Sequence, residues 1–214
     1  MTDPNSLLRN IICTALLSVL MSCVTPVNSV FESAKLLDKG GIELQGSYNA
    51  YYIEDLKTND NYGFAIGYGV SDRYTIKLRY ERINALDGDF ESEFSEFDTN
   101  YIEFTNKYSI WKDRVAFSIP VGIYANEFLT MYQLDPRLFF TFGQGAHFEF
   151  NIIPKLHIFF GDGATGLTPG INVGLGLSSD LSKWAIRPEI GYDSYTTFGL
   201  GLNFYLNPKE KNNY

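Results

Sequence analysis

Charged side chains recur at every second position along several stretches of this chain. The clearest run is Lys77, Arg79 and Glu81, which alternate with apolar residues. Because alternate residues of a β-strand point to the same face, these charges collect on one side of a sheet. The titratable residues that share this parity are Lys77, Arg79, Glu81, Glu103, Lys107, Asp135, Arg137, Glu149, Lys155, His157, Arg187 and Glu189. Both signs are present in near balance, which predicts an ion-pair network in a narrow interior. Its role is either structural filling or a conduit or gate for a small solute.

The two histidines, His147 and His157, are the residues best suited to acid–base catalysis. A strand of roughly ten residues extends about 33 Å, so these side chains cannot serve one site. Nucleophilic catalysis needs a base beside the nucleophile, and the spacing indicates no such pair. No metal-ligand spacing occurs either. We predict no enzyme activity, no cofactor and no metal site, with an enzyme kept as the alternative.

A strongly acidic segment lies between residues 85 and 98. Its acidic residues are Asp87, Asp89, Glu91, Glu93, Glu96 and Asp98. Carboxylates bind divalent cations, including those that bridge lipopolysaccharide phosphates, but this segment lacks the regular ligand spacing of a calcium loop. A solvated surface loop is the favoured interpretation, with lipopolysaccharide as a candidate partner.

Period-two alternation extends from Gly40 to Leu206 and indicates β-strands. The predicted strands are 40–54, 61–70, 73–84, 99–110, 114–125, 131–142, 146–161, 168–178, 183–192 and 196–206. An even count of about ten antiparallel strands, with eight or twelve as alternatives, is typical of single-chain bacterial barrels. The parity survives Pro154, so we predict one long strand with an irregularity there. The alternative is a turn at Pro154–Lys155.

Large apolar residues form one face of the predicted strands, and glycine or polar residues form the other. In the last strand, Phe198, Leu200 and Leu202 alternate with Gly199 and Gly201. In a bilayer, only a closed barrel satisfies every backbone group of a sheet. Glycines opposite bulky residues suit a crowded lumen. The sequence therefore predicts a closed all-β transmembrane barrel with its apolar face toward lipid. The alternative is a soluble exported ligand-binding barrel or a sandwich.

The ends of the predicted strands carry aromatic residues and turns. Candidates for interfacial aromatic girdles are Tyr62, Tyr80, Trp111, Trp184, Tyr192 and Phe204. Tight turns such as Ser71–Arg73 alternate with longer connections, most clearly at 85–98. This plan places both chain termini at the short-turn, periplasmic end. Residues 24–39 are then a periplasmic tether, residues 40–206 the barrel, and residues 207–214 a polar tail.

Residues 1–23 have the features of an export signal. Arg9 precedes an apolar run from Ile11 to Leu20, which is too short to span a membrane as a helix. The segment Leu20-Met21-Ser22-Cys23 resembles the lipobox of bacterial lipoprotein signals. That resemblance implies acylation of Cys23, with the lipid in the inner leaflet. The alternative is an ordinary signal peptide that is cleaved nearby.

Charge and cysteine content exclude some functions. The net charge of −8 argues against a nucleic-acid partner. Both cysteines, Cys13 and Cys23, lie in the leader. The body of the chain therefore has no disulfide and no thiolate chemistry.

Residues 40–206 resemble small outer-membrane β-barrel proteins of Gram-negative bacteria. The resemblance rests on the alternating strands, the tight turn Val70–Arg73 and the closing strand Phe198–Leu206. Residues 23–40 also resemble the start of lipoprotein-type barrels. Barrels of this family end on an aromatic residue, whereas Tyr214 here follows a charged tail. The resemblance implies an outer-membrane location, contact with membrane lipid, and a structural, adhesive or small-solute role, but it transfers no ligand or site.

Overall fold

The computed structural model describes residues 27–53, 56–85, 98–127, 130–143, 145–161 and 164–206. Within these ranges the regular elements are β-strands. No helix in them is long and apolar enough to span a membrane. The strands are β1 (Ile42–Ile53), β2 (Leu56–Ser71), β3 (Tyr74–Ala85), β4 (Thr99–Trp111), β5 (Val115–Ser118), β6 (Val121–Ala125), β7 (Thr130–Leu134), β8 (Arg137–Phe142), β9 (Phe148–Gly161), β10 (Ala164–Leu177), β11 (Trp184–Tyr192) and β12 (Thr196–Leu206).

These segments form one closed barrel, whose wall has ten antiparallel strands. The segments β5 and β6 are two halves of one wall strand, because both pair with β4 in the same register. In the same way, β7 and β8 pair with β9 in one register. The wall closes where β12 pairs with β1 from Ile42 opposite Leu206 to Tyr52 opposite Thr196. The predicted barrel of ten up-and-down strands is confirmed.

Prolines interrupt two neighbouring strands of the wall. Pro120 lies between β5 and β6, and Pro136 lies between β7 and β8. A proline has no N–H to donate to the ladder. The carbonyl oxygen of Pro120 still accepts a hydrogen bond from the N–H of Asp135 at 3.1 Å, which joins the two wall strands at the interruption. By contrast, β9 is one continuous strand through Pro154, as predicted, which excludes the alternative turn there. Its ladder with β8 has no pair between Phe140 opposite Ile152 and Arg137 opposite Lys155.

The connections differ from the predicted alternation of short and long. The polar residues 56–60 indicated a loop, yet they continue the ladder with β1 down to Leu56 opposite Ile53. The connection between β1 and β2 is therefore short. At the same end of the barrel, the strand bounds leave three more short connections and one long connection: 126–129, 162–163 and 193–195 are short, and 86–98 is long. We name the end that carries 86–98 the loop end. The opposite end, with turns at 72–73, 112–114, 143–147 and 178–183, is the turn end.

The apolar parity faces outward. Leu78 and Leu200 expose 51% and 52% of their surface, whereas Lys77 and Arg79 expose 4% and 3%. An outer band of large apolar side chains on a closed barrel is stable in a bilayer and not in water. The predicted orientation is therefore present, with charges toward the axis and apolar residues on the outer surface.

Exposed aromatic residues flank this band. At the turn end, the rings of Tyr74 and Tyr108 stack at 4.4 Å, and the guanidinium of Arg114 lies 5.1 Å from the ring centre of Trp111. Tyr192 ends β11 at the loop end. Tyr62, which was predicted near a strand end, lies inside β2 because that strand begins early.

Candidate functional site

Residues 27–37 of the chain itself occupy the lumen, and we name them the plug. Every residue from Val27 to Ala34 is buried, with exposed fractions from 0 to 7%. Residues 24–39 were expected to form a periplasmic tether. That expectation is corrected for residues 27–37, which lie inside the barrel. The segment is held inside because the barrel wall supplies partners for its backbone and its charge. Residues 24–26 lie outside the described residues.

The plug runs along the lumen from the loop end to the turn end. Val27 packs with Tyr101 and Tyr124, and its N–H donates to the Tyr124 hydroxyl at 2.8 Å. Both tyrosines lie near the loop ends of β4 and β6. At the other end, the N–H of Gly40 donates to the Gly69 carbonyl at 2.7 Å, just before β1 begins. Val27 therefore lies at the loop end, whereas the predicted plan placed the residues before β1 at the turn end.

Wall side chains accept hydrogen bonds from the plug backbone. The carboxylate of Glu189 accepts the N–H groups of Val30 at 2.7 Å and Phe31 at 2.9 Å. The hydroxyl oxygen of Thr141 accepts the N–H of Ala34 at 2.7 Å. Buried irregular backbone requires such partners, because an unpaired buried amide is costly.

Wall side chains also donate to plug carbonyls. Arg79 donates from Nη1 to the carbonyl oxygen of Ser29 at 2.6 Å. The Asn28 carbonyl oxygen accepts hydrogen bonds from Lys155 Nζ and from Asn172 Nδ2. Cationic donors form stronger hydrogen bonds than neutral donors do, so these contacts fix the position of the plug in the lumen.

Phe31 packs against the glycines of β12. A Cβ atom added to Gly201 would lie 2.7 Å from Phe31 Cβ, and one added to Gly199 would lie 2.6 Å from Phe31 Cζ. Phe31 has a φ of 54°, a left-handed conformation that bulky residues rarely adopt. The glycines therefore make room for a strained bend in the plug.

Glu32 is the charged anchor of the plug. Its Oε1 atom lies 3.0 Å from Lys77 Nζ, and its Oε2 atom lies 2.6 Å from Lys107 Nζ. Lys77 also pairs with Glu43 at 2.7 Å and donates to Gln45 Oε1 at 3.0 Å. The two lysines and two glutamates balance in charge, and their side chains are 4–7% exposed. Loss of one partner from such a buried group leaves an uncompensated charge.

Two arginines organise a second group of buried charges. Arg79 Nε donates to Glu81 at 2.6 Å. Arg137 Nη2 lies 2.5 Å from Glu103 Oε2, and Arg137 Nε donates to Asp135 Oδ2 at 2.8 Å. The planar guanidinium of Arg137 thus bridges two carboxylates, which suits its fixed fork of donors. This group links the wall of β3 and β4 to that of β8.

A third group lies on β9 and β11, where Arg187 Nη1 is 2.5 Å from Glu149 Oε1. Arg187 also donates to the Tyr205 hydroxyl at 3.1 Å. The structure places every charged residue predicted for the lumen in buried positions: Lys77, Arg79, Glu81, Glu103, Lys107, Asp135, Arg137, Glu149, Lys155, Arg187 and Glu189. They divide among the three groups and the plug contacts rather than converging on one site.

His157 lies buried between two carboxylates. Its Nδ1 atom is 3.5 Å from Asp135 Oδ1, and its Nε2 atom is 3.5 Å from Asp193 Oδ2. The Gln133 amide nitrogen contacts Nδ1 at 2.7 Å. Asp193 belongs to the connection between β11 and β12, and burial raises its pKa to about 6, against the opposing charge of Lys155. The members of this cluster are buried, with exposed fractions from 0 to 6%.

The two histidines lie apart, as their spacing predicted. His147 is exposed in the turn before β9, and His157 is buried within β9. Among the described residues, no group of three or more His, Cys, Asp or Glu side chains could hold a metal ion.

Several lumen residues were not predicted from the sequence. Glu43 and Gln45 share the inward parity of β1, so the same alternation could have identified them. Asp193 lies in a connection and Glu32 lies in the plug. Neither segment has the alternation of apolar and polar residues that marks a strand. The inward glycines at 199 and 201 did indicate a crowded lumen, but not that the chain's own N-terminal segment fills it.

A cavity of about 250 Å³ lies at the turn end. Its lining includes Glu32 and Leu37 of the plug and Lys107, Thr75 and Glu43 of the wall. Turn residues 112–113 also line it. The cavity therefore reaches the charged anchor of the plug from the turn end.

Some predicted features lie outside the described residues. These are the export signal, Cys23, the acidic residues from Asp87 to Glu96, and the polar tail with Tyr214. Asp98, the last acidic residue of that segment, is described and pairs with Arg82 at 2.5 Å.

A closed antiparallel barrel with an apolar outer band spans a bilayer, and barrels of this plan are built into bacterial outer membranes. This protein is an outer-membrane β-barrel. The apolar side chains of its outer band lie on the exposed outer surface of the wall. The lipoprotein type remains a prediction from the leader.

Comparisons with known proteins relate the chain to other barrels. No protein-family model and no curated protein matches it. The KdgM porin in complex with disordered oligogalacturonate is 12% identical, with a TM-score of 0.42 over 77% of this chain and 98% of that chain. The N-terminal β-barrel domain of Pseudomonas aeruginosa OprF is 14% identical, with a TM-score of 0.37 over 78% and 98%. OprG from the same organism is 10% identical, with a TM-score of 0.36 over 82% and 100%. At sequence identities this low, the similarity is one of barrel fold alone.

Proposed function

We propose that this outer-membrane β-barrel is a non-enzymatic, plugged conduit. Residues 27–37 close it at rest, and small solutes pass when the plug moves. The observation that carries the proposal is the chemistry of the plug contacts. Hydrogen bonds and ion pairs to a charged wall hold the plug, from Asn28 to Glu32.

Polar contacts support a movable plug better than a permanent filling. Replacing buried ion pairs by apolar residues is often neutral or stabilising, so a lumen filled for stability alone has no need of these charges. Water can replace each hydrogen bond when the plug moves, because the net value of such a bond to a charged group is only about 1.5–3 kcal/mol. The remaining wall, with Lys77, Arg79 and Arg137, would then be hydrated.

Planar-bilayer conductance tests this proposal. We expect the wild-type protein to be closed for most of the recording. The variant Glu32→Gln should open often, because Lys77 and Lys107 lose their partner on the plug. The matched control is Lys35→Gln, which removes a charge from an exposed plug residue and should behave as wild type. Heat-modifiable gel migration shows whether each variant is folded.

A structural or adhesive barrel with a permanently filled lumen is the second candidate. The close fit of Phe31 against Gly199 and Gly201 favours it. In that case, folded Glu32→Gln and Phe31→Ala variants would show no conductance steps. That result would remove the conduit proposal and leave the barrel itself in place.

A further inference from the structure

We infer that Lys77 and Lys107 form a binding site for small carboxylate anions, and that Glu32 of the plug is its resident carboxylate. The inference rests on the proposed function and names the class of solute that the conduit passes. The geometry is that of a bound acid, since each oxygen of one carboxylate has its own ammonium partner, at 3.0 and 2.6 Å. Charge-assisted bonds of this kind are the strong ones in proteins.

The two lysines differ in how much they depend on the plug. Lys77 keeps Glu43 and Gln45 as wall partners. The hydrogen bonds of Lys107 Nζ go to Glu32 Oε2 and to the Ser33 carbonyl oxygen, both on the plug. When the plug moves, Lys107 therefore loses these acceptors. The group of two lysines and Glu43 then has an excess of one positive charge.

That excess selects a small monoanion. A carboxylate restores the charge balance that Glu32 provides, whereas a dianion would add a second negative charge beside Glu43. The ring of Phe139 lies 5.0 Å from Lys107 Nζ and packs with Val30 and Ala34 of the plug, so it offers an apolar surface to a short hydrocarbon chain once the plug moves. The site thus suits a short-chain carboxylic acid better than inorganic phosphate.

A solute can reach this site while the plug is in place. The cavity of about 250 Å³ at the turn end is lined by both Glu32 and Lys107. A carboxylate that enters it competes with Glu32 for the same ammonium groups. Such competition would release the plug, so the solute itself would open its own conduit from the turn end.

Chemical rescue of Glu32→Ala tests the site. This substitution removes the side chain beyond Cβ, which acetate matches in size and charge. Thermal unfolding, followed by heat-modifiable migration of the full chain, is measured with acetate against chloride at equal ionic strength. Acetate should stabilise Glu32→Ala, and its apparent affinity should exceed that for wild type by about tenfold, as expected for a hydrogen bond to a charged group. Neutral acetamide should have no effect, and phosphate should act more weakly than acetate.

The double variant Glu32→Ala/Lys107→Met should lose the rescue, and Lys39→Gln, at an exposed residue outside the cavity lining, should respond as wild type does. Equal effects of acetate and chloride on folded Glu32→Ala would overturn the site. So would rescue that survives Lys107→Met. Because unfolding is measured without conductance, the two proposals fail separately. Rescue without conductance in any plug variant would leave the site and remove the conduit, and conductance without rescue would do the reverse.

Discussion

Glu32 and Lys107 are 75 residues apart in the chain, yet their side chains meet inside the barrel at 2.6 Å. One belongs to the plug that precedes β1, and the other to the inner face of β4. The pair exists only when the barrel is closed around the plug, because β4 forms part of the wall. It therefore joins the folding of the barrel to the closing of its lumen.

The two lysines beside Glu32 should contribute unequally to stability. Lys77→Met leaves Glu32 paired with Lys107 but leaves Glu43 with the neutral amide of Asn203, and removal of one partner from a buried pair costs about 3–5 kcal/mol. Lys107→Met should cost less, because Glu32 keeps Lys77. Urea titration of the free energy of unfolding measures both. Adding Glu32→Gln to Lys107→Met should recover part of the loss, and equal losses for the two lysine variants would contradict the described geometry.

A methyl group on the inner face of β12 should displace the plug. Gly201→Ala would place Cβ 2.7 Å from Phe31, and overpacking of this kind costs about 1–3 kcal/mol. The matched control is Gly46→Ala, because a Cβ at Gly46 has no neighbouring atom within 4 Å. Adding Phe31→Ala should make the Gly201→Ala substitution nearly neutral. If Gly201→Ala and Gly46→Ala had the same effect on unfolding, Phe31 would not lie against β12.

The barrel could be predicted from the sequence because its signal is local. Each strand carries its own alternation, and Lys77, Arg79 and Leu78 already state which face is charged and which is apolar. The plug could not be predicted in this way. Its residues have no period, and their burial depends on wall residues such as Glu189 that lie more than 150 positions later. The polar start of β2 was missed because its strand conformation depends on pairing with β1 rather than on its composition.

Stability should depend on pH through Asp193. Burial raises its pKa to about 6 from an ordinary value near 3.8. The folded protein therefore binds a proton more tightly than the unfolded chain, and this contribution is complete below pH 3.8 and lost as pH rises through about 6. Unfolding free energies of wild type should fall relative to Asp193→Asn over that range, by up to about 3 kcal/mol. A difference that stays constant from pH 4 to pH 7 would contradict the burial of Asp193.

Amide hydrogen exchange tests the central claim, that the plug lies inside the lumen, without any substitution. The N–H groups of Val30, Phe31 and Ala34 donate to Glu189 and Thr141 in the buried lumen. We expect residues 27–34 to exchange as slowly as the strands β1 and β12 in the folded, membrane-inserted protein. Exchange of these amides at the rate of an unfolded peptide, while the strands stay protected, would show that the segment is a tether outside the barrel and would contradict the account.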